Sequence, residues 1–252
     1  MRVLYAFYRS AVSWLIGIAL VASLAPHVQA QTTTAISANG LGTKVAQPSG
    51  NRIDITAGRQ SGQNLFHSFS QFNLAAKDTA NFVQPSGATN VISRVTDARS
   101  FIDGTLQAIG WSNFYFINPN GIVFGPTAKL NVSGSAYFST AHYLRLGGAD
   151  IFSTRSGTVG TEILSSSPVS SFGFLQGVAA APISITGSKL SVGSGQTLSV
   201  VGGPITIDGA QLSAPNGRVL VASVGEVTGR PPSVGYSTEE IPPSPDSDNS
   251  PP

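Results

Sequence analysis

Residues 183–221 read ISITGSKLSVGSGQTLSVVGGPITIDGAQLSAPNGRVLV. Six short units stand out: Ile183-Ser184-Ile185, Leu190-Ser191-Val192, Leu198-Ser199-Val200, Ile205-Thr206-Ile207, Leu212-Ser213-Ala214 and Val219-Leu220-Val221. Their starts lie 7, 8, 7, 7 and 7 residues apart, and turn-forming TGSK, GSGQT, GGP, DGAQ and APNG fill the gaps. Alternation of apolar and small polar residues is the pattern of a strand with one face inward, so Ser and Thr are expected to face water. Three strands per coil make a repeat of 22 residues, with Ile183 over Ile205, Leu190 over Leu212 and Leu198 over Leu220. Coils stacked in register would build continuous apolar columns.

Upstream, Phe114–Phe116, Ile122–Phe124, Leu130–Val132 and the strand around Phe138 recur every eight residues, which predicts coils of about 24. No window carries apolar residues at sustained helical spacing. Outer-membrane barrel strands run about 9–11 residues, far longer than these units. A β-sandwich usually has longer strands, with turns every 8–12 residues. The pattern therefore points to an all-β fold and favours a parallel β-helix over a sandwich, which stays open. The first coil of a β-helix needs protection, because an open strand edge invites further pairing. Residues 31–60, with Asn39-Gly40, Pro48-Ser49-Gly50 and a strand over Asn51–Thr56, suit an N-terminal β cap.

The two ends read differently from the body. Arg2 and Arg9 precede an apolar run from Ala11 to Ala25, and Val28-Gln29-Ala30 places small residues before a cleavage point. Fifteen apolar residues fall short of the roughly 20 needed to span a bilayer. Residues 1–30 thus read as a cleaved signal peptide rather than a membrane anchor. Residues 231–252 hold seven Pro and the acids Glu239, Glu240, Asp246 and Asp248, with no base. That composition predicts a disordered acidic tail. The domain expected between them runs from 31 to 230.

Charge and composition remove several function classes. Without the leader's two Arg, 14 − 2 = 12 bases face 12 acids, and residues 31–230 carry 12 bases and 8 acids. Nucleic-acid binding needs a clustered excess of bases, so none is expected. The chain has no Cys, which excludes thiolate metal sites and thiol catalysis and leaves stability to core burial and backbone ladders. His67 lies among Phe66, Phe69 and Phe72 and reads as a packed or capping residue; His142 is far from it in sequence. No metal site or cofactor is expected. Gly193-Ser194-Gly195 lacks the Lys and helix of a phosphate loop. The aromatic group Phe114, Tyr115, Phe116, Phe124, Tyr137, Phe138 and Tyr143 reads as core plus surface stacking rather than a sugar platform. Asn131-Val132-Ser133 matches a glycosylation sequon. A carbohydrate-active β-helix would gather carboxylates and bases on one face. The nearest candidates are Arg94, Asp97, Arg99 and Asp103, for which a solvated surface ladder is the simpler reading.

The most specific local motif is Asn118-Pro119-Asn120-Gly121-Ile122, between NFYFI and IVFG. Pro119 fixes φ, and Asn120-Gly121 tolerates positive φ, so a tight corner between two coil strands is expected. NLFHSFSQFNL (64–74), NVISRVTDARSFIDGTL (90–106), NFYFINPNGIVFGPTAKLNVSGSAYFST (113–140) and the segments from 171 to 225 occur in that order. Together, over residues 32–228, they closely resemble the N-terminal two-partner secretion domain of filamentous haemagglutinin-type exoproteins. The resemblance implies an all-β fold, a right-handed parallel β-helix, in a secreted or cell-surface protein whose extended chain is recognised by the periplasmic domains of an Omp85-type outer-membrane β-barrel transporter. The family's N-P-N-G-I motif falls on Asn118, Pro119, Asn120, Gly121 and Ile122. Its N-P-N-L motif has no counterpart, which leaves the subgroup's recognition details open. No catalysis is implied, and a monomer is expected. The competing readings are a β-helix carbohydrate-active enzyme and a stand-alone adhesion module with a host or cell-surface carbohydrate or protein as ligand. A short independent protein, a truncated gene and one part of a split gene all fit the sequence.

Overall fold

The computed structural model describes residues 33–110, 112–155, 164–224 and the backbone of 233–235. The expected leader and nearly all of the expected tail lie outside these residues. Among the described residues every element is a β-strand, and most strands stack in parallel columns. The first column runs β5 (Asn64–Asn73), β7 (Asn90–Val95), β10 (Asn113–Ile117), β13 (Ala136–Ser139), β19 (Thr197–Gly202) and β22 (Arg218–Ser223). The second holds β8 (Ser100–Ile102), β11 (Ile122–Phe124), β17 (Ile183–Thr186) and β20 (Ile205–Asp208). The third begins with β3 (Arg52–Ala57), β6 (Thr79–Phe82), β9 (Thr105–Ala108) and β12 (Lys129–Val132), and ends with the separate pair β18 (Lys189–Ser191) and β21 (Gln211–Ser213). This is the expected right-handed parallel β-helix with three strands per coil.

The register corrects two sequence expectations. Ile183 pairs with Ile205 and Leu190 with Leu212, as expected, but Leu198 pairs with Val219 rather than Leu220. The turn after Ser213 reaches Arg218 in five steps, whereas the turn after Ser191 takes six to Thr197, so this side of the coil is one residue shorter. A one-residue slip exchanges the two faces. Leu198 and Val219 therefore share the inner column, while Leu220 joins the outer one. Likewise Phe138 lies over Phe116, 22 residues away, not over Phe114 at 24.

Inside the coils, Phe69, Phe72, Phe82, Phe114, Phe116, Phe124 and Phe138 are all essentially inaccessible. Their rings meet edge-on, Phe72 with Phe116 at 5.0 Å, Phe82 with Phe114 at 4.9 Å and Phe124 with Phe138 at 4.9 Å between centroids. Each such ring contributes roughly 1.5–3 kcal/mol by burial and about another 1 kcal/mol by ring geometry. On the outer face of the third column, amides form a ladder: Asn131 donates to Gln107, Gln107 to Asn81 and Asn81 to Asp54 (2.9, 2.8 and 2.8 Å).

The N-terminal cap is antiparallel. β1 (Ala35–Ala38) and β4 (Arg59–Ser61) pair with β5, and β2 (Thr43–Ser49) pairs with β3. At the other end Ile207, Val219 and Val221, members of the inner columns, are 42%, 43% and 44% exposed.

One element has no counterpart in the sequence reading. Between β13 and β17 the chain leaves the coil and forms an antiparallel sheet of β14 (Tyr143–Leu146), β15 (Asp150–Ser153) and β16 (Val169–Gly173), joined by β23 (Ser233–Gly235). β23 falls within the stretch 231–252. Leu144, Leu146, Phe152 and Phe172 form a second core with Phe66, Ile92, Tyr115 and Tyr137, which point outward from the first column. That column's outer face is thus dry, and Tyr115 and Tyr137 stack at 4.4 Å with their planes 5° apart. Ser199, expected to face water, is fully buried for the same reason.

Candidate functional site

Asn118–Ile122 joins β10 to β11, as the sequence predicts, and its polar groups are turned into the protein. Asn118 is fully buried. Its Nδ2 donates to the Ala98 carbonyl (2.8 Å) and to Ser100 Oγ (2.9 Å). Its Oδ1 accepts from the Asn120 backbone N–H (2.9 Å) and from Asn120 Nδ2 (3.2 Å), an Asx-type turn that closes the corner locally. Main-chain bonds from Asn118 to Ser139, from Ser100 to Gly121 and from Ile122 to Pro182 then tie the corner to the strands and turns stacked on either side. Gly121 has φ +112°, and a Cβ there would stand 3.0 Å from Arg99 Nε and 3.2 Å from the Pro182 carbonyl. Only glycine meets both demands. Ile122 enters the core beneath Ile183.

Three residues that the sequence reading did not connect with this motif complete the corner. Asn120 Nδ2 donates to the Thr96 carbonyl (3.0 Å). Thr96 Oγ1 accepts from Asn39 Nδ2 (2.8 Å), and Asn39 Oδ1 accepts from Ser68 Oγ (2.8 Å). A polar chain therefore runs from the cap through Thr96 to the corner. Asn39, Ser68 and Thr96 are scattered in sequence, and only the stacking of coils brings them together.

The charged candidates are not gathered into one site. Arg94 is fully buried under the antiparallel sheet, where Nε donates to Ser68 Oγ (2.9 Å), Nη1 donates to the Ser153 carbonyl (2.7 Å) and the guanidinium lies 4.8 Å from the Phe152 ring centre. Asp97 accepts from Thr96 Oγ1 (2.6 Å). Arg99 lies against Gly121, and Asp103 accepts from the Thr127 N–H (2.7 Å) in the next coil. Among the described residues the ion pair formed is Arg52–Asp54 on the third column (2.6 Å), and no group of His, Asp and Glu could hold a metal.

Both described histidines are packed. His67 is fully buried between Phe69 and Phe82, with Nδ1 3.3 Å from Thr43 Oγ1 and no hydrogen-bond partner for Nε2 among the described residues. Burial pulls its pKa from 6.5 down to about 4. His142 accepts from the Leu175 N–H at Nδ1 (3.0 Å); burial, then the charge of Arg155, lowers its pKa.

The TPS secretion domain family matches residues 29–238. The HMW1 secretion domain from Haemophilus influenzae is similar at 21% identity with a TM-score of 0.46, over 72% of this chain and 44% of that one. The filamentous hemagglutinin secretion domain is similar at 16% identity with a TM-score of 0.37, over 77% of this chain and 100% of that one. The chain thus spans less than half the length of the HMW1 domain it matches. No curated protein matches the sequence. With the family match running from ahead of the cap to beyond β23, the chain belongs to the TPS secretion domain family.

Proposed function

We propose that this chain is the secretion domain of a two-partner secretion exoprotein. A leader over residues 1–30 carries it across the inner membrane. A cognate Omp85-type β-barrel then carries it across the outer membrane, reading Asn118–Ile122 before the coils close. The observation that supports this order is the burial of Asn118. In the folded protein both ends of its amide are occupied and no part of it reaches solvent. A transporter can contact that side chain only while the chain is extended. Folding outside the cell then consumes the recognition element, because the groups that bound the transporter turn onto Ala98, Ser100 and Asn120. Loss of the site on folding, added to the burial of the phenylalanine columns, disfavours return of the chain. The absence of Cys suits the same route, since no disulfide can close a loop before transport. The spread of Arg94, Asp97, Arg99 and Asp103 gives the carbohydrate-active alternative no support.

The test uses the isolated periplasmic domains of the cognate transporter. Chain diluted from urea should be retained by these domains, and chain folded beforehand should not. N118L/N120L chain diluted from urea should bind at least tenfold more weakly and accumulate in the periplasm of cells carrying the transporter. Equal binding of folded and unfolded chain, or unchanged binding of the variant, would refute the proposal.

A further inference from the structure

The third column is broken at one place. β11 pairs with β17 and β13 with β19 across the antiparallel excursion, yet β12 forms no ladder with β18, although the two lie side by side. The turn lengths account for the breach. From the paired residues Phe124 and Ile185, β12 begins five residues on and β18 only four. Pro126 also packs beneath Gly187, where an added Cβ would lie 3.2 Å from the ring. An open groove of about 340 Å³ remains, lined by Pro126, Lys129, Leu130, Gly187, Lys189 and Ser191 among others.

The groove has a defined chemistry. Lys129 and Ser133 donate to the β9 side, and Ser188 and Val192 bond to the β21 side. Successive residues of a parallel strand address opposite neighbours. The peptide groups of Leu130, Val132, Lys189 and Ser191 therefore face the breach, and no backbone hydrogen bond joins the two edges among the described residues. Lys129 and Lys189 are exposed, and neither forms an ion pair with a described residue. The site thus presents main-chain donors and two ammonium groups over an apolar floor.

We infer that this groove seats the chain's own acidic proline-rich segment, Glu239–Asp248. That segment has four carboxylates (Glu239, Glu240, Asp246, Asp248) and no base, which complements the two lysines. Its prolines at 242, 243 and 245 lack N–H groups but keep carbonyls, so it accepts from the open edges without needing a strand partner of its own. β23 holds the chain on the body only a few residues before Glu239, which raises the local concentration of the segment towards millimolar. The docked segment covers an unpaired β edge that would otherwise be free to pair with another chain.

The chain's lack of Cys permits a direct test on the full-length protein. Ser191→Cys in the groove and Ser244→Cys in the segment should form an intramolecular disulfide at micromolar protein under mild oxidation. The rate should be at least fivefold higher than for Ser244→Cys with Thr206→Cys, which is exposed on β20. K129E/K189E and 0.5 M salt should each remove that advantage. As an independent reading that adds no Cys, the amides of Lys189 and Ser191 should exchange at least threefold faster in E239Q/E240Q/D246N/D248N. Equal cross-linking at both positions, cross-links between chains instead of within one, insensitivity to charge, or unchanged exchange would each overturn the assignment.

Discussion

The fully buried His67 gives the most quantitative prediction. Its ring lies in the core behind the cap, with rings 6.2 Å away at Phe69 and 5.7 Å away at Phe82, and with Thr43 Oγ1 as its hydrogen-bond neighbour. Burial disfavours the imidazolium, so the folded chain takes up its proton near pH 4 and the unfolded chain near 6.5. Above pH 6.5 both states are neutral and this group leaves stability unchanged with pH. Between 6.5 and 4 the unfolded state binds more protons, and stability falls by about 1.4 kcal/mol per unit. The total, 2.5 units multiplied by that slope, is about 3 kcal/mol, a large part of a domain's typical 5–15 kcal/mol. Below pH 4 this group takes nothing further.

The perturbation is His67→Leu, followed by urea unfolding from pH 7.5 to 3.5 with far-UV circular dichroism. Asp54, whose carboxyl is held low by the Arg52 and Asn81 hydrogen bonds, and His142 also titrate towards acid. Their contributions are common to both proteins and cancel in the difference. The variant should gain about 3 kcal/mol on the wild type as pH falls from 6.5 to 4, and the two curves should run parallel above 6.5. Parallel curves throughout, or a His67 Cε1–H resonance in the folded protein that titrates near 6.5, would refute the reasoning.

Position along the inner columns should set the cost of truncation. Phe138→Ala, removing a fully buried ring in contact with Phe114, Phe116 and Phe124, should cost roughly 3–5 kcal/mol in urea melts. Val221→Ala, at the open end and 44% exposed, should cost under about 1 kcal/mol. Gly217→Ala would put a Cβ 1.9 Å from the Gln196 carbonyl in the coil below. It should displace the last coil at about 1–3 kcal/mol, seen as faster proteolytic cleavage within 214–224. Arg94→Met removes the donors to Ser68 Oγ and the Ser153 carbonyl and the contact with Phe152. Hydrogen exchange in β14–β16 should rise, with a loss of about 2–4 kcal/mol.

The coil was legible because its determinants are local. A triplet such as Ile183-Ser184-Ile185 declares its face by alternation, and the turns between triplets carry Gly, Pro, Asn and Asp where the backbone must reverse. Spacing then gave the partner of Ile183 and Leu190 correctly. It failed at Leu198, because the length of one turn decides between Val219 and Leu220, and both are apolar enough to satisfy a column. The antiparallel sheet was illegible for a different reason. Tyr143-Leu144-Arg145-Leu146 alternates much as a coil strand does, and nothing local says that its partners are β15 and β16 rather than the coil below. Without that sheet, the outward Ser199 had to be read as facing water.

The corner at Asn118 was legible as a turn but not as a buried one. Pro119 and Gly121 announce the change of direction, whereas the partners of Asn118, at Ala98 and Ser100, come from the coil below. An asparagine in a turn is ordinarily solvated, because its amide needs up to four hydrogen bonds that a surface supplies at no cost. Here the stacked coil supplies two of them and Asn120 the other two, and each bond replaces one that the extended chain makes with water or a partner. Asn118 is therefore available in one state and sealed in the other. A side chain that is sealed on folding can be read during export only in a chain whose transport precedes its folding. Once the coils have closed, the Asn118 side chain can contribute stability but no recognition. Destroying the signal and destabilising the corner are separable in principle. Ser100→Ala removes one acceptor of the Asn118 amide in the folded state and leaves Asn118–Ile122 intact in the extended one. Secretion of S100A at the wild-type level, with folding stability lowered by about 1 kcal/mol, would assign the two roles to different states of the same five residues.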